Sequence, residues 1–206
     1  MNVMVTPKAD ELPRRLFTVE DAFRMVETGI IGPDERLELI EGEFVQVNAK
    51  NNFHQHVQNR LTRLLGRLVP DDVEVGVEPT LKLDDFTFVE PDIVLYRYSE
   101  APRLTADRAM LVIEVSDSSI GFDLGLKASL MARSGIAEYW VVNAQALEVT
   151  IHREPRADGY GAIRRLGSTD PLEPAHPDLA GLTFRLADLG RNGDQRHTRQ
   201  QQGQGR

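Results

Sequence analysis

Cysteine is absent from this 206-residue sequence, which excludes disulfides and any zinc site built on thiolates. Long apolar runs are also missing. No stretch approaches the roughly 18 apolar residues of a membrane span, and the opening MNVMVTPKADELPRRLF has no apolar signal core. The expectation is a soluble, cytoplasmic protein with no membrane contact. Positive charge is scarce as well. A net charge of −8 argues against a general nucleic-acid coat protein, whose non-specific binding rests on neutralising phosphates. The tail RNGDQRHTRQQQGQGR is the exception: four arginines against one aspartate make it +3 and leave −11 for the rest. Poor in apolar residues and rich in Gln and Gly, it has the composition of a disordered, solvated terminus. There is neither an internal repeat nor a glycine-rich phosphate loop.

What is present suffices for one core of ordinary size, with 41% hydrophobic and 27% charged residues. The spacing predicts one domain over 17–190, preceded by an extension (1–16) and followed by the tail (191–206). Thr18 followed by VED reads as a helix start, with Thr18 as N-cap and Asp21 at the third helical position; the helix runs to Glu27 and stops at Gly29. RLELIEGEFVQV alternates about Glu41-Gly42 as a hairpin would. From Phe53 to Val69 the period becomes helical, with Val57, Leu61, Leu64, Leu65 and Leu68 on one face. His54 projects on the apolar side, where an inward histidine bonded to backbone and a functional one are both open readings. Arg60, Arg63 and Arg67 form a flank that suits either a solvated face or contact with a polyanion. Short β-type runs follow in DVEVGV, PTLKL, FVEPDIVLYR and MLVIEVS. A helix is predicted from Phe122 to Ser134, ended by Gly135. Further strands follow at AEYWVVN, EVTIHRE and YGAIRRL, with a short piece at LTFRL; Tyr139 and Trp140 are assigned to the core or to an interface. This order is that of a mixed α/β or α+β sheet domain.

Three charged residues sit where apolar ones belong. Side chains alternate along a strand, so Glu114 shares the face of Met110, Val112 and Ser116 in a run that otherwise reads as buried. The same alternation groups Asp92 with Glu90, Val94 and Tyr96. Carboxylates on neighbouring strands repel unless they share a cation, and hard divalent ions suit such a pair. On that account, removing either acid is expected to leave the fold intact or slightly more stable. At about 100° per residue, Leu124, Leu126, Leu130 and Met131 define the buried arc of the second helix, with Gly125, Ser129, Ala132 and Arg133 outside. Lys127 lies within that arc and needs an anionic partner, for which Glu114 is the candidate. A buried Lys-Glu pair accounts for these residues one at a time; taken together, two acids and a lysine point to a site. Phosphodiester hydrolysis uses such a set: a metal clamping the phosphate and acidifying a water, and a cation offsetting developing charge.

The motifs LELIEGEFV, the H-x6-L start at His54, VEPDIVLY, LVIEVSDSSIGFDLGLKASLMARSGIAEYWVV and LTFRLADL resemble the family known as Uma-type putative restriction endonucleases. That family, formerly a domain of unknown function, lies within the PD-(D/E)XK nuclease superfamily, and the resemblance runs from Phe17 to Leu189. It implies a restriction-endonuclease-like fold, a mixed central β-sheet flanked by helices. It also implies Mg²⁺-dependent DNA cleavage, with Mn²⁺ as a substitute, and a homodimer. The motif aspartate corresponds to Asp92 and the second acid to Glu114. The usual lysine two positions later is replaced by Ser116, read as a supporting hydroxyl, and its counterpart is Lys127 on the following helix. Glu38 matches a glutamate that helps hold metal, and Asp123 and His54 match supporting positions. Met131 departs from the family, where many relatives have tyrosine.

Two rival readings remain open on the sequence: a catalytically silent nucleic-acid-binding or assembly module on the same fold, and a metal-dependent hydrolase of smaller phosphodiesters.

Overall fold

A computed structural model describes residues 14–32, 34–47 and 50–190. Most of the expected extension and the whole of the tail lie outside the described residues. Among the described residues no helix is long and apolar enough to cross a membrane.

The first helix, α1 (Val19–Glu27), begins as expected. Thr18 Oγ1 accepts from the Asp21 N–H at 3.0 Å while the Asp21 carboxylate accepts from the Thr18 N–H at 3.1 Å, a reciprocal capping box. Gly29, at φ +73°, then takes the chain out of the helix. Strands β1 (Leu37–Ile40) and β2 (Glu43–Gln46) pair antiparallel around Glu41 and Gly42, both of which have positive φ, as a tight two-residue hairpin requires. A Cβ on Gly42 would also lie 2.6 Å from Leu16 Cβ, so backbone conformation and close approach both call for glycine. Helix α2 (Asn52–Leu65) is capped by Asn51, whose side chain accepts from the His54 N–H at 2.9 Å. It buries Val57, Leu61 and Leu65, each contributing about 1.5–3 kcal/mol. Leu68 is exposed instead: the helix ends at Leu65, so the periodicity no longer governs where Leu68 points.

The central sheet has six strands. They are β3 (Glu74–Val77), β6 (Ile93–Tyr96), β8 (Ala109–Ser116), β9 (Glu138–Asn143), β10 (Glu148–Arg156) and β11 (Gly159–Leu166), in the order β11-β10-β9-β8-β6-β3. All neighbours are antiparallel except β8 and β9. Strand β8 is buried along its whole length, which explains its near-continuous apolar sequence. A parallel neighbour needs a crossover connection, and the helical segment 120–133 supplies it. A second sheet, not separated from the first by sequence pattern, adds β4 (Leu81–Lys82), β5 (Phe88–Val89) and β7 (Leu104–Thr105) to the hairpin in the order β2-β1-β5-β4-β7.

Alternation divides the core in two. Ile93, Leu95, Leu111, Ile113 and Trp140 pack with α2 and the C-terminal Leu182 and Phe184. Val94, Val112, Tyr139 and Val141 pack with Leu130 and Met131 and with Leu81 and Val89 of the second sheet. Tyr139 and Trp140 are thus core residues on opposite faces.

The helical segment departs from the expected wheel. It comprises α3 (Ile120–Phe122), a π-helical turn at Asp123–Lys127 and α4 (Ala128–Arg133). Leu124 and Leu126, expected inside, are 38% and 47% exposed, while Asp123 and Ala132 are buried with Lys127, Leu130 and Met131. A π turn bonds i to i+5 and carries more residues per turn than an α-helix, so a constant 100° step assigns the wrong faces across it.

Candidate active site

The charged residues meet where three strands of the central sheet end together. Val77 pairs with Ile93, and Ile93 with Ile113, so the next positions form a row of Glu78, Asp92 and Glu114. The backbone joins them: the Glu78 N–H donates to the Asp92 carbonyl at 3.1 Å, and the Asp92 N–H reaches Glu114 Oε2 at 3.4 Å. Pro91, which has no N–H, precedes this row at the edge of β6, a position where proline costs no sheet bond.

Asp92 is fully partnered. Its Oδ2 accepts from the Val115 N–H at 2.7 Å and stands 3.1 Å from His54 Nε2, while Oδ1 accepts from the Lys50 ammonium. Burial alone would raise its pKa, but the His54 hydrogen bond and the charges of Lys50 and His54 outweigh it and hold the carboxyl at about 2. Glu114 is the opposite case. It is enclosed, and burial pushes its pKa well above the usual carboxylate range, with Lys127 opposing the rise and Asp92 and Asp123 adding to it. Its Oε1 lies 2.6 Å from Lys127 Nζ yet accepts no well-aligned hydrogen bond among the described residues.

Lys127 reaches this point from the π turn, with its Nζ also 2.9 Å from Glu38 Oε1. Burial would lower its pKa, but Glu114 and Glu38 raise it, so the ammonium stays charged. Glu38, on β1, therefore acts here as a partner of Lys127, and the same Oε1 accepts from the Glu90 N–H at 2.9 Å. Ser119 Oγ donates to Asp123 at 2.6 Å and lies 3.2 Å from Ser116 Oγ. Burial raises the Asp123 pKa. Glu38, His54, Asp92, Glu114, Asp123 and Lys127 all line one cleft of about 500 Å³; Ser116 lies behind it, through Ser119.

Residues 19–187 match the family Uma2, described as "Putative restriction endonuclease". The chain belongs to that family. Its fold is shared with a solved structure described as a putative nuclease belonging to DUF820 from Anabaena variabilis ATCC 29413. The two superpose with a TM-score of 0.65 at 17% identity, over 84% of this chain and 97% of the other. No curated protein matches the chain.

In this Uma2-family chain, as in any, a metal must be judged by the donors available. Among the described residues no three His, Asp or Glu side chains converge as a metal cluster. Asp92 and Glu114 nevertheless fit a hard cation, which needs only one or two carboxylates alongside water. Among the described residues Glu114 Oε1 is a buried acceptor without an aligned donor, and all the atoms the pair offers a cation are oxygens.

Sequence reasoning missed Lys50 and Glu78. Lys50 Nζ also lies 2.7 Å from Glu78 Oε1, so one ammonium bridges two members of the carboxylate row. One local signal pointed to it: Lys50 directly precedes the N-cap of α2, where the helix dipole disfavours a cation unless an anion is close. Glu78 gave no such signal, because it becomes part of the row only through strand pairing.

Proposed function

We propose that the chain is a metal-dependent endodeoxyribonuclease that hydrolyses DNA phosphodiester bonds. Asp92 and Glu114 would hold Mg²⁺, with Mn²⁺ as a substitute, and Glu38, buried in the same cleft and paired with Lys127, would be a further carboxylate for the metal. The observation that carries this reading is the gathering in one cleft of Asp92 just before β6, Glu114 in β8 and Lys127 in the π turn, with Lys127 Nζ 2.6 Å from Glu114 Oε1 and the Asp92 N–H 3.4 Å from Glu114 Oε2. A bound divalent ion would supply Lewis-acid stabilisation of the phosphoryl group and lower the pKa of a water.

The remaining work falls to side chains. Lys127 keeps its proton and presents a fixed positive charge to the phosphate or to the attacking water, in an enclosed site where such a charge acts strongly. His54 orients the Asp92 carboxylate through Nε2, and the Val115 N–H fixes the same oxygen, so Asp92 does not rotate away. The Ser116, Ser119 and Asp123 chain braces the segment that carries Lys127. Cutting both strands of a duplex would favour a homodimer with one cleft per strand, and a cytoplasmic protein would meet its substrate there.

The test is cleavage of supercoiled plasmid DNA with Mg²⁺ or Mn²⁺ by the parent chain and by Asp92→Asn, Glu114→Gln and Lys127→Met. Metal-dependent nicking or linearisation lost in all three variants supports the reading. Binding of DNA without turnover would favour the silent-module alternative, and cleavage confined to a small phosphodiester would favour the small-substrate hydrolase.

A further inference from the structure

Lys50 is the cation that neither the family motifs nor the proposed chemistry uses, yet it occupies Asp92. The residue follows β2 and precedes α2, and its side chain is only 11% exposed. Its ammonium bonds to Asp92 Oδ1, the carboxylate oxygen that no other group holds among the described residues, and to Glu78 Oε1 at 2.7 Å. The two partners differ in how they are anchored. Asp92 makes its Val115 and His54 contacts through the other oxygen, Oδ2. Glu78 is held by Arg36 at 3.0 Å and Gln58 at 3.2 Å, so it is a fixed anion at which Lys50 can remain.

A carboxylate oxygen cannot serve an ammonium and a divalent cation at the same point: two cations at contact distance repel, and both need the same lone pairs. From this we infer that Lys50 is an internal counter-ion, displaced from Asp92 when a divalent metal binds and retained by Glu78 at the mouth of the cleft. In the metal-free protein, Lys50 pairs with Glu78 and Asp92 at one end of the row and Lys127 with Glu114 at the other, offsetting part of its charge. A bound metal would take the place of Lys50 on Asp92, while Lys127, even where it shares Glu114 with the ion, keeps its second carboxylate at Glu38, 2.9 Å away. The freed ammonium then faces the cleft from the Glu78 side, opposite Lys127, where it is positioned to meet a phosphate of the bound strand. Metal affinity is accordingly set by competition with a built-in cation, and DNA, by engaging Lys50, would tighten the metal. This inference rests on the metal-site reading above.

The experiment uses the full chain with Mn²⁺ alone, without DNA. Calorimetry measures Mn²⁺ affinity, and acetylation by N-hydroxysuccinimidyl acetate, read by mass spectrometry, measures the accessibility of each lysine. Lys82 is a surface reference, and Lys127, buried against two carboxylates, is a protected one. The expected result is that saturating Mn²⁺ raises Lys50 acetylation at least fivefold and leaves Lys82 and Lys127 unchanged. In Glu78→Gln the metal-bound increase should exceed that of the parent, because the retaining anion is gone. Lys50→Met should bind Mn²⁺ at least fivefold more tightly. If Mn²⁺ binds the parent chain but Lys50 stays protected, the displacement idea is overturned while the metal site stands. If Mn²⁺ binds neither the parent nor Lys50→Met, both readings fall; binding to Lys50→Met alone supports the competition directly. The labelling arm needs only the parent chain, so poor folding of a variant does not remove the test.

Discussion

Lys127 Nζ stands 2.6 Å from Glu114 Oε1, although the lysine lies on a helical turn and the glutamate in the central strand of the sheet. In the proposed reaction this contact supplies the positive charge that Ser116 cannot. Lys127→Met is expected to reduce cleavage by roughly a hundredfold or more, the scale for losing one charge-stabilising group, with Mn²⁺ affinity retained. Lys127→Arg should recover little, since the planar guanidinium does not fit between two carboxylates that hold a compact ammonium. Placing the charge back on the strand, as Ser116→Lys combined with Lys127→Met, should restore measurable nicking. Wild-type cleavage by Lys127→Met would leave the residue a structural ion pair only.

The two acids of the site are expected to respond differently in the metal-free protein. Mutual repulsion led to the expectation that losing either would leave stability unchanged or improved. For Glu114 the expectation is kept as a proposal: burial raises its carboxyl, its Oε1 lacks an aligned donor among the described residues, and Lys127 retains Glu38 as partner when it is lost. Thermal unfolding of Glu114→Gln should therefore occur at or above the parent temperature. Asp92→Ala would instead strand the Val115 N–H, His54 and Lys50, at about 3 kcal/mol. The Asp92 contribution is present above the ordinary carboxylate range and is lost as pH falls through about 2. Equal melting temperatures for Asp92→Ala and the parent would contradict this.

The π turn can be tested separately from the lysine. Deleting Gly125 should let the segment close into a regular α-helix, turning Lys127 by about 100° away from Glu114 and Glu38. Gly125→Ala keeps the residue count, and a Cβ there meets nothing within 4 Å. The substitution should stabilise by about 0.5–1 kcal/mol and preserve cleavage. The deletion should lose activity and melt earlier. A deletion variant that cleaved normally would show that the turn does not aim the lysine.

His152 gives a pH signature away from the site. It is buried between Tyr139 and Tyr160, and its Nδ1–H donates to the Tyr139 carbonyl at 3.2 Å. Burial lowers its pKa, with its hydrogen bonds to the Tyr139 and Thr150 backbone opposing the shift. A histidine depressed in the folded state contributes stability that is present above its unfolded value of about 6.5 and is lost as pH falls toward the folded value. The melting temperature should drop between pH 7.5 and 5.5, and His152→Phe should drop less. An equal drop in both would exclude His152 as the source.

Local signals were legible where chemistry is local. The Thr18–Asp21 capping box, the Glu41-Gly42 hairpin and the apolar face of α2 each depend on residues within a turn or two of one another. Glu114 and Lys127 were also conspicuous in the sequence, because a charge among apolar neighbours demands a partner wherever the chain goes. Leu124 and Leu126 were misassigned because a π turn is paid for by tertiary contacts of Asp123 and Lys127 and leaves no mark in hydrophobic periodicity. What only the tertiary structure decided was who meets whom. Strand pairing set Glu78, Asp92 and Glu114 in one row, and the connection between β2 and α2 placed Lys50 on Asp92. Sequence determined that charges had to be compensated; three-dimensional packing chose the partners, because a long side chain can satisfy its charge with any opposite group the fold brings within reach.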